Sequence, residues 1–376
     1  MDDEWGTRLE KKWKYIQYEI ESNRKYVIYG AGIVAYNIYL SCRLKWQLEP
    51  ICFAVTEHSG ASAMIEQIPV RCWMDIEKSI DTYTVIIVAT PEIYHEEIAA
   101  HIRQSGFELF FCVDAHAEYL FMSEYFRKKG ELQLLSDLPF DTNQYDAAVS
   151  DHFSIYMAKS HKDKILSKSY PIPKWTFPVQ AGCVCTNQRI TKLNDGSGDN
   201  ISYKNPNYCE LTVTYWAWKN CKNTYKGICH YRRMLLMDIK QLNQCMQNDI
   251  DVILPLPFVC YPSAKGQYGR YIGESDLTAL KQVISMAAPD YLTIWNELDG
   301  QQLFYNYNML LAKEDIFNQY SEWLFGVLQQ AEKLCDPENK RADRYAGYLG
   351  ELLTSLYIFK HKDEWKIAHA EKNWMV

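Results

Sequence analysis

The stretch from Asn194 to Arg233, NDGSGDNISYKNPNYCELTVTYWAWKNCKNTYKGICHYRR, constrains this chain more than any other, because it joins a hydrogen-bonding loop, a capped helix and a cationic strand end without interruption. The loop alternates glycine with short polar side chains (Asp195, Ser197, Asp199, Asn200, Ser202). Such a composition exposes backbone N–H groups and tolerates positive φ. Asn205 and Pro206 read as N-cap and first residue of a helix whose apolar face carries Leu211, Tyr215 and Trp218. Lys219-Asn220 ends that helix, and a short strand, 226–229, delivers His230-Tyr231-Arg232-Arg233 to its C-terminal tip. Open α/β sheets bind ligands at such tips. The pattern predicts a site for a polar anion.

These residues carry a resemblance. D-x-x-G-D-N-I-S, E-L-T-x-x-Y-W-A-W-K-N and C-H-Y-R-R stand here in order, and the likeness continues into SIYMAKSHKD (154–163), DVILP (251–255), YNMLLAKEDIF (307–317) and RYAGYLGELL (344–353). Together they resemble a bacterial capsular and exopolysaccharide glycosyltransferase family catalogued as domain of unknown function 4422. The resemblance implies a GT-A-like α/β domain over 152–376 that moves a hexosyl residue from a nucleotide sugar, a UDP-sugar such as a galactose form. The acceptor it implies is a lipid-linked oligosaccharide of capsule, exopolysaccharide or O-antigen synthesis. Other polysaccharide-assembly enzymes are implied as partners.

GT-A enzymes usually carry Asp-x-Asp at the strand end that here reads His230-Tyr231-Arg232-Arg233. A leaving nucleoside diphosphate gains charge as the glycosidic bond breaks, and a metal or fixed cations must stabilise it. Adjacent arginines offer bidentate contacts to phosphate oxygens, so no cofactor is required on this reading. The alternative is that Arg232 and Arg233 form salt bridges with Asp195, Asp199 or Glu210. A divalent metal on Asp195 and Asp199 remains open, whereas Asp249-Ile250-Asp251 precedes its strand and sits at the wrong end.

His161 at the tip of the apolar strand 153–158, together with Asp195, Asp199, Asn200, Asn205, Glu210, His230, Arg232, Arg233 and Asn308, forms the expected donor site. Asn306 and Asn308 fall in a strand expected over 305–312, and a helix is expected over 316–334. Glu351, near the start of a late amphipathic helix, matches by position the carboxylate that serves as base in inverting GT-A enzymes. A structural carboxylate is the other reading of both Glu210 and Glu351.

The first part of the chain reads as a separate Rossmann-like unit, 1–119, with a linker over 120–151. Trp5, Leu9, Trp13, Ile16 and Ile20 form a helical stripe. The strand KYVIYG leads through Gly30-Ala31-Gly32 into a helix, and a second strand ends near Glu57, where a ribose-binding acid would sit. Four or five parallel strands fit. Gly30, Gly32 and Glu57 are therefore candidate nucleotide contacts, unless the glycines only permit a tight turn. VATPEIYHEE (88–97) resembles sugar dehydrogenases of the glucose-fructose oxidoreductase type, but their Glu-Lys-Pro segment is missing. A nucleotide-sensing regulatory protein and an NAD-dependent sugar oxidoreductase are the rival functions.

A net charge of −7 disfavours nucleic acid as partner, since a phosphate-binding face must be basic. The 12 cysteines lack zinc spacing, which suggests reduced thiols. No apolar run reaches the roughly 20 residues of a membrane span. The expected location is the cytoplasm, peripheral to the inner face of the membrane.

Overall fold

The structure, a computed structural model, describes residues 13–15, 17–22, 25–57, 62–166 and 171–373. Two compact units divide the chain, Met1–Lys129 and Gly130–Val376. Both are α/β.

In the first unit, strands β1 (Tyr26–Tyr29), β2 (Phe53–Val55), β3 (Met64–Ile65), β4 (Ile68–Cys72), β5 (Val85–Val88) and β6 (Phe110–Cys112) form one sheet ordered β3-β4-β2-β1-β5-β6. All neighbours pair in parallel except the edge strand β3. Continuous apolar runs such as YVIY and VIIV are buried on both faces, as helix-covered parallel strands must be. Helices α1 (Ile33–Trp46), α2 (His95–Gln104) and α3 (Ala115–Lys129) supply the cover. Of the N-terminal stripe, Trp5, Leu9 and Ile16 lie outside the described residues; Ile20 is buried and the Trp13 ring packs on Phe121, 4.3 Å between centroids.

Strand order reverses between β1 and β5, and there the two glycines differ. Gly30 has φ 129°, and a Cβ on it would lie 2.4 Å from the Ala89 carbonyl oxygen. Gly32 precedes α1 with φ −94° and would meet nothing within 4 Å.

The expected linker is a correction. Residues 120–129 are the end of α3, where Phe121 and Phe126 are buried and Ser41 Oγ donates to the Phe121 carbonyl at 2.8 Å. Residues 130–151 are strapped to the second unit. His369 N donates to the Gln133 carbonyl, and the Asn243 side chain exchanges two hydrogen bonds with the Asp146 backbone. Charge and a proline suggested a linker, but Leu134, Leu135 and Val149 are buried and anchor it.

The second unit is built on an eight-stranded sheet ordered β11-β16-β12-β15-β10-β7-β8-β9. Its strands are β7 (Phe153–Lys159), β8 (Thr176–Gln180), β9 (Leu193–Asn194), β10 (Tyr225–His230), β11 (Leu235–Leu236), β12 (Val252–Pro255), β15 (Leu310–Lys313) and β16 (Ile367–Lys372). Strands β13 (Phe258–Val259) and β14 (Leu303–Phe304) pair separately. Helices α4 (Leu211–Asn220), α5 (Ile239–Gln247), α6 (Glu274–Ala287), α7 (Tyr291–Gly300), α8 (Glu314–Cys335) and α9 (Tyr345–His361) complete it. At the centre β7 and β10 run parallel, with Phe153 opposite Tyr225 through to Ala158 opposite His230. Their C-terminal tips therefore share one edge.

Two local expectations fail. The helix expected from Asn205 is two pieces, a single turn Asn205–Tyr208 and α4, because Cys209 takes φ 51° and ψ −127° between them. The strand expected over 305–312 shrinks to β15, which leaves Asn306 and Asn308 in the turn before it.

Gly30→Ala is expected to destabilise the first unit by about 2–3 kcal/mol, from positive φ and the clash with Ala89, and Gly32→Ala by under about 1 kcal/mol. Denaturant titration of both variants checks this; equal losses would contradict it.

Candidate active site

The tips of β7 and β10 are tied by a hydrogen bond from Tyr231 N to the Ala158 carbonyl, 3.1 Å. The loop that leaves β7 folds onto the same tip, its Lys164 N donating to the Tyr231 hydroxyl at 3.3 Å. Asp163 in this loop accepts from Ser160 N at 2.7 Å. Burial pushes its carboxyl up to about 6, against the pull of Ser160 N–H, Lys159 and Arg232. His161 Nδ1 is buried and makes no hydrogen bond. At the tip itself, His230 N and Arg233 N each donate to the other's carbonyl, which closes a tight turn. It lays the Arg233 guanidinium 4.2 Å from the centre of the Tyr307 ring. Arg232 lies over Tyr231. The sequence placed cations here; the structure shows what holds them.

Opposite the tip, two helices begin side by side. A Cβ on Gly350 would stand 2.7 Å from Leu211 Cδ1 and 3.0 Å from Asn308 Oδ1, and one on Gly347 would stand 3.4 Å from Cys209 Sγ. The first turn of α9 thus packs by its two glycines directly on the side chains of Cys209, Leu211 and Asn308. Both helices project the partial positive charge of a helix start, while at α4 Thr212 N and Val213 N already donate to the Cys209 and Glu210 carbonyls. Asn308 Nδ2 donates to Glu210 Oε1 at 2.6 Å and to the Gly347 carbonyl at 3.0 Å, clamping the two starts together. Arg344, in the left-handed region at φ 68°, immediately precedes α9 and donates to Cys209 Sγ at 3.3 Å.

Glu210, His230 and Glu351 converge here with Arg232, Arg233 and Arg344. His230 Nε2 lies 3.8 Å from Glu210 Oε1. Burial lowers the His230 pKa to about 4, the three arginines push the same way and Glu210 opposes them. At neutral pH its ring is uncharged. Burial pushes Glu351 up to about 8, Glu210 raises it further, and Arg233 and Arg344 oppose. The Glu351 carboxyl makes no hydrogen bond or ion pair with any described residue. A carboxyl that is poised near neutrality and left unbonded can accept a proton from a bound hydroxyl. The surrounding cations and helix starts suit an anion.

The other sequence candidates have different roles. Asp195 is fully buried and accepts from Gly182 N (2.7 Å), Cys183 N (3.1 Å), Ser202 Oγ (2.5 Å) and Thr212 Oγ1 (2.6 Å). With about four acceptor positions on a carboxylate, nothing is left for a ligand or metal. Asp199 is held on the last turns of α4 by the Tyr215 hydroxyl and by two bonds with the Asn220 amide. Tyr215 and Asn220 lie about 7.5 and 15 Å along the helix from Glu210, at 1.5 Å per residue. Asp195, by contrast, sits against Thr212 in the first turn of α4, so the loop runs along that helix and Asp195 and Asp199 form no pair. Asn200 closes its own loop through the Gly196 and Gly198 carbonyls, as short polar side chains readily do. Asn205 is no N-cap; its amide donates to the Cys209 carbonyl and steadies the positive-φ kink. Asn308 spends its amide on the clamp.

Asp249 and Asp251 both bind Lys313, which pairs with Tyr225 at the opposite end of β10 from the arginines. A cleft of about 490 Å³ opens at that end, lined by Tyr225, Asp249, Lys313 and Glu314. It contains none of the titratable cluster. Among the described residues no group of three or more His, Cys, Asp or Glu stands close enough to hold a metal. In the first unit Glu57 follows β2 and is exposed. Sequence reasoning missed Arg344 and the paired Gly347 and Gly350. A cation directly before a helix, against the helix dipole, was the available signal.

A carboxyl whose pKa is higher folded than unfolded holds its proton in the native state, so its contribution weakens as pH rises from about 4.3, the loss being complete above the folded value near 8. Glu351→Gln is therefore expected to stabilise the protein on the order of 2 kcal/mol at pH 9 and hardly at all at pH 5. Thermal melts at both pH values check this, and a pH-independent difference would contradict it.

Comparison with known proteins follows the second unit. Residues 154–362 match the family model described as domain of unknown function (DUF4422). No curated protein matches the chain. Among solved structures, the apo structure of the bifunctional glycosyltransferase WbbM is similar, with 28% identity and a TM-score of 0.50. The similarity covers 59% of this chain and 45% of that one, so the chain spans less than half the length of that relative. By the extent of the family match, more than half of its residues, this chain belongs to the DUF4422 family.

Proposed function

We propose that the protein is a glycosyltransferase whose second unit transfers a hexosyl residue from a nucleotide sugar without needing a metal. The observation that carries the reading is the placement of Arg233 and Arg344 near a high-pKa Glu351 whose carboxyl is unbonded, with Arg232 beside the adjacent His230, where two helices start. The likeness to a glycosyltransferase structure supports the reaction class. In this reading the arginines and helix N–H groups hold the donor diphosphate. Glu351 takes the proton of the acceptor hydroxyl, whose oxygen attacks the anomeric carbon as the sugar–phosphate bond breaks. The cations then stabilise the departing nucleoside diphosphate. Neutral His230 adds no charge but donates or accepts one hydrogen bond.

The donor we propose is a UDP-sugar such as a galactose form, and the acceptor a lipid-linked oligosaccharide of surface-polysaccharide synthesis. Among the described residues no helix is long and apolar enough to cross a membrane. Peripheral action at the inner membrane face is part of the proposal. A regulatory reading keeps one observation in its favour: the free space over Gly32 at the strand-order reversal of the first unit, where a nucleotide would bind.

Turnover of UDP-sugars is expected to survive a strong chelator. Arg232→Ala or Arg233→Ala is expected to weaken UDP binding by roughly ten- to a hundredfold, the loss of one charge-assisted contact at about 1.5–3 kcal/mol, with Lys restoring only part. Titration calorimetry with UDP measures this. Inactivation by chelator with rescue by manganese would overturn the cation reading. Transfer is also expected to rise with pH toward a plateau above about 8 as Glu351 ionises, and to be lost in Glu351→Gln; a flat profile would remove Glu351 as base.

A further inference from the structure

The ring of Tyr271 stacks on that of Tyr348, centroids 5.5 Å apart and planes 19° from parallel, while Tyr271 keeps 52% of its surface exposed. An exposed aromatic costs solvation unless something covers it, and this one is held in place. Tyr271 N donates to the Tyr268 carbonyl at 3.0 Å, and Tyr268 itself is buried. Tyr348 lies on α9 three residues before Glu351, so these two share one helix face, and Arg344 is the residue that precedes the helix. Arg344 reaches back over the Tyr348 ring, 5.8 Å from its centre.

These contacts order the site. The His161–Asp163 loop adjoins Arg232, Arg233 lies next to Glu351, Arg344 follows on α9, and Tyr348 and Tyr271 come last. Resting on the transferase reading above, we infer that the Tyr271–Tyr348 pair is the platform on which the terminal sugar ring of the acceptor stacks. Sugar rings present an apolar C–H face to aromatic rings. A nucleobase would stack there equally well, but position decides between them. The acceptor must place a hydroxyl within hydrogen-bond reach of the base, and Tyr348 is about 4.5 Å along the helix from Glu351. The donor's nucleoside has no such requirement and has the β7 tip on the other side of the arginines.

The test uses the full chain with UDP-galactose as donor and octyl β-galactoside, octyl β-glucoside and octyl α-mannoside as acceptor probes. Tyr271→Ala is expected to raise the acceptor KM roughly five- to tenfold while kcat and donor KM change by less than about twofold, the pattern of lost ground-state binding. Tyr271→Phe, which keeps the ring, is expected to restore the wild-type acceptor KM. An equal rise in donor KM would reassign the platform to the nucleobase, and no change in either constant would remove it from the site. If no donor is turned over, the transferase reading fails on its own. The platform is then scored by saturation-transfer NMR of the octyl glycosides with UDP present. Signal on the sugar ring protons that Tyr271→Ala abolishes supports it, and equal signal in both proteins overturns it.

Discussion

The site depends on one close contact, the packing of Gly347 and Gly350 of α9 against Cys209, Leu211 and Asn308, which a side chain at either glycine would disturb. A side chain at Gly350 would run into Leu211 and Asn308, and Asn308 could not then bond Glu210 and Gly347 together. The clamp also explains two backbone conformations that bulky residues avoid, at Cys209 and Arg344. Each begins a helix abruptly, and the pair is joined by the Arg344–Cys209 contact. Strain of this kind, on the order of 1–3 kcal/mol per residue, persists where surrounding contacts enforce it.

Electrostatics follow from that geometry. Two carboxylates, a histidine and two arginines share one half-buried edge with the exposed Arg344 beside them, so each group's charge is influenced by the others. Burial alone would neutralise Glu351 and His230 alike. The arginines add to that effect at His230 and oppose it at Glu351, leaving an uncharged ring beside a carboxyl that titrates near neutrality. The result is a locally cationic site in a chain whose net charge is −7. Such a site favours a diphosphate without making the whole surface basic.

Much of this was legible in the sequence because the strong signals were local. Apolar runs such as YVIY and the strand before His230-Tyr231-Arg232-Arg233 report burial directly, and strand tips follow from topology. The polar loop misled because Asp195, Asn200 and Asn205 look like ligand groups, yet Asp195 is taken up by groups distant in sequence and the two asparagines by carbonyls a few residues away. Asp195, for instance, is satisfied by Gly182 and Thr212, which no spacing rule connects. Arg344 escaped notice for the converse reason. Its neighbours Cys209 and Glu210 lie far earlier in the chain, and only the packing of two glycines brings them together. Residues 120–151 show the same limit, since their buried leucines belong to partners far along the chain.

The central claim is that the anion site lies between the arginine tip and the two helix starts of the second unit. A crystal structure of the full chain soaked with UDP tests it most directly. The account predicts the diphosphate within hydrogen-bond distance of Arg232, Arg233 and Arg344, with Glu351 facing the vacant sugar position. Diphosphate bound instead over Gly32 in the first unit, or along the loop between Asp195 and Asp199, would contradict it.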